Sequence, residues 1–397
     1  MSVFLLFSDI CGNLKVEEVF EEKFNQKSFY FDGSSIEGGV RRYESDMKLV
    51  PDMDSQFKIN GSPAYFCDVF QNNKEFHGDP RTVLKMYLKN LKYGVKTAAE
   101  LEFYLIKKDG EPIDNASYWD VSPKDNSEKI KEETLLQLKN AGIVWDSCHH
   151  ECGPGQNEID LKYDNPLASC DKILLAKNII KRVASKHDAK ATFMPKPFSD
   201  KPGNGMHIHI SLWEDAKNLF YDTNDEYNLS QIAKHFIGGV LRHAKAIAAV
   251  TNPTINSYKR LGEFEAPRLI YWGRKNRDAL IRIPEANAEE SRRIEFRLPD
   301  PSCNTYLALL VTLASGIDGI NNRIEPPHPI ERDVVPEDCF EAVPNSLEEA
   351  LTALERDEVI RNSLEGVYTP FVKLKKKEIK EYNSKVTNVE WLMYEDV

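Results

Sequence analysis

The chain has 397 residues, 41% hydrophobic and 29% charged, with a net charge of -11. This is an ordinary globular composition, long enough for one large domain and a smaller one. The acidic balance excludes non-specific nucleic-acid binding through a basic surface, and no apolar run reaches membrane-spanning length.

The first ~75 residues read as β-rich, with strands expected at Val3–Phe7, Phe29–Phe31 and Ala64–Val69 and a turn at Asp32-Gly33-Ser34-Ser35. The opening MSVFLLF has neither the basic region nor the cleavage site of a signal peptide. Asp79-Pro80 supplies an N-cap and a first-turn proline for a helix over Thr82–Leu91. Strands and helices then alternate. Strands are expected at Lys96–Ile106, Ile159–Tyr163, Met206–Trp213, Ala279–Ile283 and Arg293–Leu298. Helices are expected at Ser127–Ala141, Asp171–Lys186, Leu229–Ala249 and Tyr306–Ile320, with a mostly helical tail from Ser346 and a solvated lysine-rich stretch at Lys373–Lys380. The pattern is α+β: a small N-terminal domain over residues 1–76, then a large domain over 79–397 with an antiparallel sheet and helices. Seven cysteines without CxxC pairs suit free thiols in a reducing cytoplasm.

Chemistry concentrates on a few alternating stretches. In Met206-His207-Ile208-His209-Ile210-Ser211-Leu212, two imidazoles and a hydroxyl share one strand face, introduced by Gly203-Asn204-Gly205. Glu100 and Glu102 share a face between apolar neighbours, a costly pairing unless a cation sits between them. Glu151 and Glu158 bracket a Gly-Pro-Gly loop preceded by His149 and His150, and Glu295 lies between Arg293 and Arg297. Oxygen donors with one imidazole suit magnesium or manganese better than zinc. The total would serve two ions with open positions, as in phosphoryl transfer. Eight arginines between Arg260 and Arg297 offer forks for carboxylate or phosphate. No Walker-type sequence is present, so a P-loop does not hold a nucleotide.

Several longer stretches carry a resemblance. Phe31-Asp32-Gly33-Ser34-Ser35-Ile36-Glu37-Gly38, Pro154-Gly155-Gln156-Asn157-Glu158, Gly205-Met206-His207-Ile208-His209, Asn252-Pro253-Thr254-Ile255-Asn256-Ser257-Tyr258-Lys259-Arg260, Glu265-Ala266-Pro267, Asn276-Arg277 and Arg293-Ile294-Glu295-Phe296-Arg297 resemble glutamine synthetase, in the family's order. The resemblance implies a β-grasp-like N-terminal domain and ATP-dependent ligation of ammonium to L-glutamate through γ-glutamyl phosphate. It implies one magnesium or manganese ion on Glu102, Glu151 and Glu158, and a second on Glu100, His207 and Glu295. It places Arg260, Arg277 and Arg297 on glutamate or the transferred phosphate, with Gly203 and Tyr118 also on the substrate side. Asp146, Tyr163, His209, Ser211, Arg277, Arg282 and Arg293 fall to ATP, with Tyr163 stacking on adenine. Glu265 matches a flap over the intermediate, and Asp32 and Ser35 match an ammonium site reached from a neighbouring subunit. The same resemblance implies a cytoplasmic homo-oligomer of hexameric rings, a dodecamer if two stack.

The chain departs from the family in four places. Pro202 replaces an asparagine that helps hold the amino end of glutamate, and Arg260 to Glu265 is one residue shorter than usual. The chain begins at its first strand, and Val335 stands near the tyrosine that adenylylated members modify. Pro202 keeps a second reading open: a γ-glutamyl ligase using another amine, such as a polyamine or ethanolamine. A non-catalytic structural member of the fold is a third, opposed by the complete metal-ligand set.

Overall fold

The computed structural model describes residues 2–40, 42–286, 288–331 and 339–397; Val335 lies outside them. Six strands form the first sheet: β1 (Ser2–Ser8), β2 (Leu14–Phe20), β3 (Phe29–Asp32), β4 (Asp46–Ile59), β5 (Ser62–Gln71) and β6 (Lys74–Glu75). Their order is β2-β1-β5-β4-β3, with β6 beside β5. Only β1 and β5 run parallel. Period-two alternation splits the sheet's side chains between two cores. Leu5, Phe7, Tyr65, Cys67 and Val69 pack with Phe24 of the short helix α1 (Glu21–Phe24). Leu6, Ala64 and Phe66 face the other way, into the main core.

Arg81 secures that junction. It lies on α2 (Pro80–Lys89), whose Asp79 cap accepts from Thr82 N at 2.7 Å. Its guanidinium, 2% exposed, meets Asp52 of β4 at 2.9 Å, Asp68 of β5 at 2.8 Å and Asp171 at 3.0 Å. Tyr306 donates to the same Asp171 at 2.6 Å. Such a buried guanidinium is held by its partners, and removing one side of a buried pair costs about 3–5 kcal/mol.

The second sheet carries the site. Its strands are β7 (Gly94–Ile106), β8 (Trp145–His150), β9 (Gln156–Leu161), β10 (Lys190–Thr192), β11 (Met206–Glu214), β12 (Lys217–Asn218), β13 (Trp272–Gly273), β14 (Ile281–Arg282) and β15 (Ile294–Phe296). The order is β13-β14-β15-β11-β7-β9-β8, and all pairings but β13–β14 are antiparallel. Its apolar face, including Ala99, Leu101, Ile208 and Ile210, joins the core formed by α3 (Glu128–Ala141), α4 (Pro166–Lys186), α5 (Gln231–Thr251) and α6 (Thr305–Asn322). Helices α5 and α6 approach at glycines: a Cβ on Gly239 would meet Ser315 O at 2.1 Å. Four further helices, α7 (Leu347–Arg356), α8 (Glu358–Ser363), α9 (Tyr368–Asn383) and α10 (Asn388–Tyr394), form the tail.

The α+β layout and the antiparallel sheet are as expected; several bounds are not. Helix α4 begins at Pro166, not Asp171, because Asn165 caps it through Ala168 N at 3.0 Å. The Ala279–Ile283 strand shrinks to β14, and Arg293–Leu298 to β15. Among the described residues, seven strands fall outside the expected set: β6, β10, β12 and β13 have only two or three residues each, and in the three longer ones the apolar alternation is absent or interrupted. β2 is a charged edge, β4 pairs irregularly with β5 between Pro51 and Gln56, and β8 is mostly polar.

Candidate active site

Strand register builds the site. Because β7, β9, β11 and β15 pair antiparallel, every second residue of each strand reaches the same face. One row across the sheet reads His149, Glu158, Glu102. The next, two residues along β7, reads Asp160, Glu100, His207. A third reads Ala98, His209, Glu295, Arg282. The alternation noticed in single strands is thus one polar field on a sheet whose back is core.

Distances within the field are short. His207 Nδ1 and His209 Nε2 each lie 2.7 Å from a different oxygen of Glu100. His207 Nδ1 is 3.6 Å from Glu295 Oε1. Arg282 Nε donates to Glu295 at 2.5 Å and Arg297 Nη1 at 2.7 Å. Glu102 accepts from Gly205 N at 2.7 Å and from the buried Gln156 amide at 3.2 Å; the same amide reaches Gly203 O at 3.1 Å. His149 Nε2 sits 2.8 Å from Glu151 and 3.7 Å from Glu158.

Charge crowding sets the carboxyl affinities. Burial, with Glu100, Glu102, Asp160 and Glu151 close by, pushes Glu158 well above the usual carboxylate range. Burial also raises Glu102, against the pull of His207. Glu100 goes the other way: burial opposes its charge, but His209 and His207 together hold it well below the usual range. For Glu295, burial is outweighed by Arg297 beside it.

Such a donor set fits divalent cations. Glu100, His207 and Glu295 bring ligand atoms within 4.8 Å of one another, as do Glu102, Glu158 and His207, and His149, Glu151 and Glu158. The expected second set, Glu100, His207 and Glu295, is therefore one group. The expected first set, Glu102, Glu151 and Glu158, is spread over two groups joined at Glu158, and His149 belongs to one of them. His149 is not among the expected ligands, because β8, which aims it, has no apolar alternation to mark it as a strand. Hard oxygens with one or two imidazoles suit magnesium or manganese.

Two cavities open on this face. A larger one, about 660 Å³, is lined by Glu100, Glu102, Glu151 and Glu158, by Arg260, Arg277, Arg282 and Arg297, and by Tyr118, Gly203 and Glu265. The other, about 360 Å³, is lined by Asp146, Tyr163, His209, Ser211 and Arg293. Glu100 and Asp160 line both, forming the wall between them. Arg277 and Arg282, assigned to ATP by resemblance, face the larger cavity. Arg260 is already braced on Leu298 O at 2.9 Å, and Ser211 Oγ accepts from Trp213 Nε1 at 2.8 Å. The arginine cluster divides: Arg268 and Arg274 bond Asn345 and Glu285, and Arg292 donates to Pro284 O at 3.3 Å. Asp32 and Ser35 line neither cavity; they sit exposed on the first sheet, where Asp32 accepts from Ser34 N at 2.9 Å.

Comparisons with known proteins point to one family. The family model for the glutamine synthetase catalytic domain matches residues 77–394, and that for its β-grasp domain matches residues 2–72. Glutamine synthetase of Thermotoga maritima is 43% identical, covering 98% of this chain and 95% of its own. That of Methanocaldococcus jannaschii is 41% identical, covering 96% and 88%. Among solved structures, one described as a GmaS/ADP complex superposes with a TM-score of 0.93 at 31% identity, covering 100% of this chain and 97% of that one. Plasmodium falciparum glutamine synthetase superposes at 0.88 and 27% identity, covering 99% and 95%.

Fold and site thus define an ATP-dependent ligase of the carbon–nitrogen class, a class that works with divalent metals. The chain belongs to the glutamine synthetase family. Replacing Glu102 by alanine is expected to lower phosphoryl transfer by more than about a hundredfold while the variant stays folded. Full activity of Glu102→Ala in saturating magnesium or manganese, measured as ADP release, would remove that carboxylate from the site.

Proposed function

We propose that this chain ligates ammonia to the γ-carboxylate of L-glutamate, converting ATP to ADP and phosphate. One observation carries the reading: the carboxylate–arginine cavity and the aromatic-ended cavity meet at Glu100 and Asp160. A nucleotide in the smaller cavity then directs its terminal phosphate into the larger, where Arg282 and Arg297 flank Glu295. An oxygen of the glutamate γ-carboxylate attacks the terminal phosphorus and ADP leaves. Ammonia then attacks the acyl carbon of the γ-glutamyl phosphate, phosphate departs, and the nitrogen loses its extra proton.

The roles of the residues follow. Glu100, His207 and Glu295 would hold one divalent ion, and Glu102, Glu151 and Glu158, with His149, the other. Bound there, magnesium or manganese would neutralise charge on the transferring phosphoryl group. Arg277 and Arg297 offer fixed positive charge to the same oxygens. Glu265 sits on a loop folded back by a Gly262 N to Ala266 O bond of 3.2 Å, which suits a cover that keeps water from the acyl phosphate. Tyr118, Gly203 and Arg260 take glutamate, and Asp146, Tyr163, His209, Ser211 and Arg293 take ATP.

Pro202 bears on the amine and on glutamate. Its carbonyl accepts from Tyr104 OH at 2.7 Å, so the backbone here is fixed without a side-chain amide. Losing one bond to a charged group costs about 1.5–3 kcal/mol, or roughly ten- to a hundredfold in glutamate affinity. Pro202→Asn is therefore expected to lower the glutamate concentration needed for half-maximal rate and to leave the ammonium dependence unchanged. The deciding assay is ADP release with glutamate and a panel of amines. Ammonium should support turnover. Turnover with ethanolamine or a polyamine but not with ammonium would replace this reading by the other-amine ligase.

Assembly and location belong to the same proposal: a cytoplasmic homo-oligomer of hexameric rings, two of them stacked, built from domains 1–76 and 79–397. Exposed Asp32 and Ser35, which line neither cavity of their own chain, support sites completed by a neighbour's N-terminal domain. Mixing Asp32→Ala chains with Arg297→Ala chains should restore activity, because some interfaces then carry both intact halves. Verified mixed oligomers that stay inactive would mean each site is built within one chain.

A further inference from the structure

The fourth row of the polar field contains a residue without an assigned role. Lys96 lies opposite Ser211 in the β7–β11 pairing, on the same strand face as Glu100. Lys96 and Glu100 are four positions apart, roughly 13 Å of extended strand. Between them stands Ala98, whose methyl leaves the floor of the smaller cavity low. That cavity thus runs from the carboxylates past Arg293 and His209 to an outer end formed by Tyr163, Trp213 and Lys96.

The Lys96 ammonium sits between rings. Its Nζ is 3.5 Å from the centroid of the Trp213 ring and 5.3 Å from that of Tyr163. The indole is fixed as a plate, because its Nε1–H is committed to Ser211. Among the described residues, Nζ has no hydrogen-bond acceptor and no ion-pair partner. An ammonium carries three donors, and a ring face satisfies them only electrostatically. A half-buried cation of this kind faces the cavity with donors to spare.

We propose that Lys96 is a nucleotide-binding residue that donates to acceptor atoms on the base–ribose half of the nucleotide. The indole of Trp213 keeps the ammonium at the outer end, away from the phosphates, and Tyr163 offers the ring face for the base. This inference rests on the smaller cavity being the nucleotide site, and holds whichever amine is the acceptor.

Calorimetric titration of magnesium-ADP and of magnesium-pyrophosphate into the wild type, Lys96→Met and Lys96→Arg tests it. Methionine keeps an unbranched apolar stem beside Trp213 and removes no hydrogen bond, so the fold should stand. Lys96→Met should weaken ADP binding by about tenfold or more and leave pyrophosphate binding unchanged. Lys96→Arg should recover most of the ADP affinity. Wild-type protein that binds ADP no more tightly than Lys96→Met overturns the inference alone. An equal loss for pyrophosphate also overturns it, because the ammonium would then serve the phosphates. Wild-type protein that binds no ADP overturns the nucleotide reading of the cavity and this inference with it.

Discussion

Negative charge confined to one face of a packed sheet is the constraint on which this structure depends. Glu100, Glu102, Glu158, Asp160 and Glu295 stand on neighbouring strands whose opposite face is core. Water cannot dilute that charge from behind, and the strands cannot part without breaking the ladder. The protein offsets some of it internally, through His207 and His209 on Glu100 and through Arg282 and Arg297 on Glu295. Among the described residues no guanidinium bonds Glu158, and there burial with like charge raises the carboxyl well above the usual carboxylate range. Divalent cations are the natural complement of this imbalance.

Rigidity follows from the same arrangement. All the donors but Glu151 stand on strands fixed by their neighbours, and the loop that brings in Glu151 is tied to β9 by a Glu151 N to Gln156 O bond of 2.8 Å. Gln156 shows how: one buried amide touches Glu102 and Gly203 O, and its own oxygen accepts from Gly153 N at 3.1 Å. The acidic loop, Glu102 and the glycine loop of the larger cavity are therefore tied to one another. Further back, Arg81 ties both domains to α4. A site that must align phosphoryl donor and acceptor benefits from such fixed elements.

The sequence disclosed those parts of the site that interrupt an apolar pattern. Histidines between isoleucines in β11, and glutamates between apolar residues in β7, announce a polar face on a strand that is otherwise core. It did not disclose what depends on register. His149 comes from β8, too polar to read as a strand, and its meeting with Glu158 exists only in the β8–β9 pairing. Lys96 opens an expected strand, and only the β7–β11 register brings its ammonium over Trp213. The arginine-rich segment misled by its density, since Arg268, Arg274 and Arg292 serve the fold. Asp32 and Ser35 matched a motif, but no single chain brings them to either cavity.

The proposed chemistry depends on the carboxylate face being completed by cations. Counting manganese ions bound per chain, by the paramagnetic resonance of free manganese at equilibrium, addresses this without any assumption about the amine. Two ions per chain, both displaced by magnesium and reduced to one in Glu295→Ala, are predicted. A chain that binds no manganese, or whose bound manganese is indifferent to Glu295 and Glu158, would contradict it.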